Sequence, residues 1–172
     1  MTETLHDPAT MVDGGGPRVH RATLDDLDAV VELRVALLRE YRDHPIYGQL
    51  RPDAEARARP AFEQQIRAPD QVIFLAEIDG RAIGIVRCAD VKSSPLLFPD
   101  RYCYVTSVYV RPAYRRQGVL SLLMEHAEAW ARDRGLTEMR LHNSTAHPMA
   151  RGAWDQLGFE VNEEVRLKRL RG

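Results

Sequence analysis

Val108-Tyr109-Val110-Arg111-Pro112, followed two residues later by Arg115-Arg116-Gln117-Gly118-Val119-Leu120-Ser121, is the stretch on which the reading of this chain turns. The alternating valines and tyrosine are strand formers, and Pro112 cannot continue a ladder. From Val119 onward, Leu122, Leu123, His126, Ala127, Trp130 and Ala131 recur at helical spacing, with Glu125, Glu128, Arg132 and Asp133 opposite and Gly135 as a stop. The unit is therefore strand, tight turn, helix. Such a turn exposes backbone N–H groups at a helix N-terminus, where orphan donors and the helix dipole favour an anionic oxygen. Arg115 and Arg116 place cations at a positive dipole end, an unfavourable position unless an anion lies nearby. Taken alone, the same residues also fit an exposed basic turn.

Working outward, the strand extends upstream to Tyr102. Its apolar phase is odd at Val105 and even at Val108 and Val110, the trace that a bulge near Thr106-Ser107 would leave in a period-2 pattern. Residues 72–78 and 82–90 flank Asp79-Gly80, a strong hairpin signal. A short strand over 18–22 precedes a helix that starts at Thr23, with Asp25 and Asp26 in its first turn, and runs to about Tyr41. Residues 42–59, broken by Pro45, Gly48 and Pro52, read equally as a lid over a substrate site or as a plain connector, before a second helix reaching about Arg67. Downstream come a strand over 137–143, a helix over 148–157 closed by Gly158, and two short strands over 159–170. The order is β-α-α-β-β-β-α-β-α-β-β. Residues 1–16, with Gly14, Gly15 and Gly16, read as a flexible leader, and 17–172 as one mixed α/β domain.

Bulk properties narrow the function. Lys and Arg total 24 against 25 for Asp and Glu, so no net field draws in nucleic acid or an anionic membrane. No apolar run approaches the ~20 residues of a membrane helix, and the first residues carry no secretory signal, so a cytoplasmic location is expected. Cys88 and Cys103 lack a CxxC spacing, the six histidines form no ligand pair, and no metal is assigned. Neither GxGxxG nor GxxxxGK follows a strand, which argues against other nucleotide-binding enzymes.

Arg115, Gly118 and, imperfectly, Leu120 match a pattern Arg/Gln-x-x-Gly-x-Gly/Ala, through which the chain resembles the GNAT superfamily of N-acetyltransferases. Val108 to Pro112 resembles that family's cofactor-side strand, and Asn143, Ala150 and Leu157-Gly158-Phe159 resemble its later pantetheine segment. The resemblance spans roughly residues 18–170. It implies an α/β fold with a central, mostly antiparallel sheet, a V-shaped splay between the fourth and fifth strands, and helices on both faces. It also implies acetyl-CoA as cosubstrate, with no metal. Val108, Tyr109 and Val110 would meet pantetheine through their backbones, Arg115, Arg116, Gln117, Gly118, Val119, Leu120 and Ser121 would cradle the pyrophosphate, and Asn143 would meet the pantetheine arm.

Two departures stand out. Leu120 replaces a small residue, so it must turn away from the phosphates or crowd them. Trp154 stands where the family commonly has a tyrosine acid, and an indole N–H is a donor without being a usable acid. The family's glutamate base position holds Tyr104. Tyr104 and Ser144 are the candidate catalytic residues, because they lie on the strand and strand end that should border the gap; Cys103, Tyr109, His142 and Glu160 are alternatives by chemical type. The expected reaction is direct attack of a primary amine of a small molecule or peptide on acetyl-CoA in a ternary complex. The alternative is a catalytically silent acyl-CoA-binding module. An exposed edge at the terminal strands would permit a homodimer.

Overall fold

The computed structural model describes residues 15–144 and 148–170; most of the expected leader lies outside these. Five strands order themselves β1-β2-β3-β4-β5 in one sheet. They are β1 (Arg18–Arg21), β2 (Gln71–Ile78), β3 (Arg81–Lys92), β4 (Arg101–Val110) and β5 (Met139–Leu141). The first four pair antiparallel and β5 runs parallel to β4. The helices are α1 (Leu27–Glu40), α2 (Ala54–Arg67), α3 (Val119–Asp133) and α4 (Pro148–Gln156), with single 3-10 turns at Leu24–Asp26 and Pro112–Tyr114. The chain forms two compact units, one ending at Arg140 and the other running from Leu141.

Local chemistry explains the boundaries. Before α1, the Thr23 backbone and hydroxyl both donate to Asp26 Oδ2 (2.8 and 3.2 Å), tying down the chain entry. Asp79 and Gly80 both adopt positive φ (49° and 75°), the geometry of a two-residue hairpin between twisted strands. Gly135 ends α3 at φ 71°, and the Leu136 amide reaches back to the Ala131 carbonyl (2.9 Å), burying Leu136.

Alternation then sorts the sheet's two faces. Ile73, Leu75, Ile85 and Tyr109 join Val30, Leu33, Val35 and Phe62 in the core beneath α1 and α2, each fully buried aliphatic contributing roughly 1.5–3 kcal/mol. The opposite face receives α3 at Gly84, where an added Cβ would lie 3.0 Å from Leu123 Cδ1 and 3.3 Å from Val119 Cγ1. Helices therefore cover both faces, as expected.

The expected bulge is present. Ile85 faces Tyr109 and Arg87 faces Thr106, so Val86 alone opposes Ser107 and Val108, and Ser107 takes φ 55°. A second irregularity, between Ala76 and Glu77 on β2, had no signal in the sequence pattern.

Three expectations need correction. Helix α2 begins at Ala54, before the irregular stretch was expected to end, with Pro60 inside it. Asp53 anchors that first turn by accepting from Arg57 Nε (2.6 Å), and Pro60 leaves only the Ala56 carbonyl without its helical donor. Strand β5 is three residues long rather than seven. The two terminal strands are not formed: 159–170 has no regular structure, and Val161, Val165, Leu167 and Leu170 are exposed. Charged residues separate those apolar ones without strict alternation, no glycine or proline marks a turn, and an isolated hairpin is marginal in water.

Candidate cofactor turn and acceptor face

The turn between β4 and α3 departs from ordinary helix starts. Helix α3 has no side-chain cap and no acidic residue in its first turn; its N-cap is Gly118 at φ 80°. The first intrahelical bond runs from the Leu122 amide to the Gly118 carbonyl (3.0 Å), leaving the amides of Val119, Leu120 and Ser121 without helical acceptors. A Cβ placed on Gly118 would meet nothing within 4 Å, so the space above the turn is open. Arg116, also left-handed at φ 60°, is exposed on the same turn. Open amides, a free approach and an exposed guanidinium fit a diphosphate.

Arg115 is engaged elsewhere. Its Nε donates to the Val110 carbonyl (2.8 Å), and its NH2 reaches both Glu40 carboxylate oxygens (2.7 Å each). The Tyr109 hydroxyl donates to Glu40 Oε1 (3.1 Å), and the Arg115 guanidinium lies over the Tyr109 ring, 5.6 Å from its centroid. Glu40, at the end of α1, thus fixes strand end and turn together. Burial, then the Glu40 charge and hydrogen bond, push the Tyr109 phenol above its ordinary range, outweighing Arg115 and Arg111. No sequence signal marked Glu40, because 75 residues separate it from Arg115.

The remaining expected contacts divide between the units. Val108 is half-buried beside the bulge, Val110 and Val119 are buried, Leu120 is half-buried, and Gln117 and Ser121 are exposed. The Gln117 amide donates to the Ala113 carbonyl (2.9 Å). In the second unit Asn143 is exposed, Ser144 is buried, and Trp154 packs edge-on against Phe159 with centroids 5.5 Å apart.

Strand β5 meets β4 at its start, where the Cys103 amide donates to the Glu138 carbonyl (2.8 Å). Three residues cannot accompany ten. The later half of β4, from the bulge to Val110, keeps β3 as its neighbour.

On the α1/α2 face, Tyr104 lies half-buried. Burial first, then the neighbouring Tyr47 and Tyr102, raise its phenol above the usual range against the pull of Arg87 and Arg34. It therefore stays protonated near neutrality, a hydrogen-bond donor and not an available base. Above it, His44 stacks on Tyr47 (centroids 4.6 Å apart), and its Nδ1 accepts the amides of Ile46 and Tyr47 (3.1 Å each). Those two donors assign the His44 proton to Nε2.

Among the described residues no cluster of His, Cys, Asp or Glu could hold a metal ion, and no helix is long and apolar enough to cross a membrane. A profile of the acetyltransferase (GNAT) family matches residues 30–159. An aminoglycoside N(6')-acetyltransferase type 1 of Salmonella typhimurium is 28% identical over 116 residues, covering 63% of this chain and 76% of that protein. The crystal structure of a predicted acetyltransferase with acetyl-CoA from Clostridium acetobutylicum superposes with a TM-score of 0.74 at 18% identity, covering 89% of this chain and 96% of that one. The aminoglycoside acetyltransferase AAC(6')-Iy, in complex with a bisubstrate analogue of CoA and an acetylated neamine, gives 0.73 at 22% identity, covering 92% and 100%. At these identities the two structures speak for the fold.

Proposed function

This chain belongs to the acetyltransferase (GNAT) family, an acetyl-CoA-dependent acyltransferase, and from that premise we propose that it acetylates a primary amine of a small molecule by direct attack in a ternary complex. The observation that carries the reading is the uncapped start of α3, with Gly118 at φ 80° beneath open space. The amides of Val119, Leu120 and Ser121, with Gly118, Gln117 and the Arg116 guanidinium, hold the diphosphate. Arg115 serves this cradle indirectly, by locking the turn to Glu40 and Val110. The backbones of Val108, Tyr109 and Val110 hold pantetheine along the β4 edge, and Asn143 meets its arm. Amide groups of a ligand complete a ladder that β5 is too short to fill. Leu120 is half-buried.

Acetyl-CoA supplies a thioester carbonyl at which the amine forms its C–N bond as the C–S bond breaks, the proton leaving nitrogen and one proton reaching sulfur. The chain's part is placement first, since orientation can supply roughly 7–11 kcal/mol of a barrier. Tyr104, kept as a phenol, and the buried Ser144 are the candidate hydrogen-bond donors to the departing sulfur. A thiol of pKa about 8.5 needs little such help, general acid assistance being worth about 10²–10⁴ in rate. With Tyr104 disfavoured as a base, acceptors of low amine pKa react best: an α-amino group of pKa roughly 7.7–8.0 is about a tenth neutral at pH 7, a lysine-like amine far less. That the Salmonella relative is an aminoglycoside N(6')-acetyltransferase supports a small-molecule acceptor.

The test has two readouts. Calorimetry with CoA should show binding that Gly118→Val weakens at least tenfold, and saturation at 100 times the dissociation constant should stabilise the fold by roughly 2.7 kcal/mol. A panel of amines with acetyl-CoA should release free thiol from at least one member. Trp154 at the usual acid position, packed on Phe159, favours a second reading, a silent acyl-CoA-binding module, for which binding without thiol release across the panel is the outcome.

A further inference from the structure

Most part-buried arginines among the described residues are ion-paired. Arg111 meets Glu32 at 2.7 Å, Arg115 meets Glu40 at 2.7 Å, and Arg134 meets Asp90 at 3.1 Å. Arg34 breaks the rule. It projects from α1 half-buried, and no carboxylate among the described residues pairs with it. Its charged neighbourhood consists of Tyr47, Arg87, Tyr41 and Tyr104, in falling order of influence. Arg87, the second cation, gives both Nε and NH2 to the neutral Gln71 Oε1 (3.0 and 2.6 Å), and Asp70 is the weakest of the groups acting on it.

Register places this pair beside the reacting end of β4. Arg87 faces Thr106 across the ladder and Ala89 faces Tyr104, so Arg87 and Tyr104 are diagonal neighbours on the α1/α2 face. Thr106 immediately precedes the bulge at Ser107 and Val108. One strand spacing, about 5 Å, therefore separates Arg87 from the backbone where pantetheine would end. Arg87 acts on Arg34 as a like charge, and neither guanidinium is ion-paired with a carboxylate among the described residues; partly out of water, both are poorly solvated, and a bound oxyanion relieves both costs.

Building on the transferase reading above, we propose that Arg34 and Arg87 receive an oxyanion of the acceptor, so that the acetylated amine belongs to a small acid, an amino carboxylate or an amino phosphate. The oxyanion takes charge-assisted hydrogen bonds from both guanidinium groups, and Tyr104 and Tyr47 border it. The amine then lies a few bonds away, toward the bulge. The same pair of cations disfavours a polycationic acceptor by like-charge repulsion.

The experiment compares alanine with alaninamide and glucosamine 6-phosphate with glucosamine, plus kanamycin as a polycation. Thiol release and calorimetric binding are measured for the full chain, Arg34→Met, Arg34→Lys and Arg87→Met. Arg34→Met should lower kcat/KM for the anionic member of the favoured pair roughly 10- to 100-fold, mainly through KM. Its neutral partner and CoA affinity should stay within about twofold, and Arg34→Lys should fall between. Whichever pair responds distinguishes carboxylate from phosphate. Equal losses for charged and neutral partners, no preference for either anion, or kanamycin as the best acceptor would each overturn the oxyanion site while leaving the transferase intact. If no amine releases thiol, anionic members that bind the wild type but not Arg34→Met uphold the site and sink the transferase reading. Binding that ignores the substitution sinks the site.

Discussion

Gly118 and Glu40 show how single residues shape the turn. Because Gly118 holds φ 80° with open space above it, Gly118→Ala meets no clash and pays only backbone strain, about 1–2 kcal/mol. Gly118→Asn should lose less, since asparagine tolerates the left-handed region. Urea unfolding reads the strain, and CoA calorimetry reads its effect on the cradle. Glu40→Gln removes the carboxylate shared by Arg115 and Tyr109. Both ionic partners are about a third exposed, so stability should change by no more than ~1 kcal/mol, while CoA affinity falls several-fold as the turn loosens. Without the negative neighbour the Tyr109 phenol should titrate closer to its ordinary 10.0, visible as a tyrosinate absorbance difference between the two proteins. Gly118 was legible in the sequence because a glycine at a strand-to-helix turn has a local reason. Glu40 was not, because its partners lie 69 and 75 residues away.

At the scale of elements, β3 and α3 share a contact that sets where the turn points. Gly84 lies under Leu123 and Val119, and an added Cβ would also come 3.3 Å from the Tyr109 carbonyl. Gly84→Ala asks one terminal methyl of Leu123 to move; Gly84→Val forces the helix itself outward and should cost roughly 1–3 kcal/mol. Weaker CoA binding should accompany it, since the amides of Val119 to Ser121 ride on that helix. Thermal unfolding and calorimetry on the two variants check the order. The bulge in β4 was readable from a one-residue slip in apolar phase, because period 2 makes any slip visible. Helix α2 was partly hidden, since Pro45, Gly48 and Pro52 marked the stretch to residue 59 as irregular, although the helix starts at Ala54 and absorbs the one donor missing at Pro60. The terminal strands failed for the opposite reason: local strand formers had no turn and no covered face to hold them.

For the whole molecule, burial of phenols ties stability to alkaline pH. Tyr41, Tyr104 and Tyr109 are all pushed above 10.0, burial being the first cause each time. A folded value above the unfolded one means that the fold favours the protonated ring. That contribution is complete below the unfolded tyrosine value and is lost as pH rises through the raised folded values. Urea midpoints should therefore hold level up to about pH 9 and fall beyond the ordinary tyrosine range. Absorbance titration should show three of the six tyrosines ionising late. Level midpoints throughout would show that these rings are not withheld from water.

By itself the sequence determined what neighbours along the chain can enforce: the strand, left-handed glycine and apolar-striped helix around Gly118, the Asp79-Gly80 hairpin, and the slip at Ser107. Each depends on backbone conformation or on a short period, and these act within a few residues. Only the tertiary structure decided which charges are spent and which remain. Arg115, adjacent to Arg116 in the chain, is bound to Glu40, while Arg87 acts on Arg34 from a different element and neither is ion-paired with a carboxylate among the described residues. A charge's partner depends on which helix packs over which strand, and that choice is made by the apolar core as a whole, not by the residues that carry the charge.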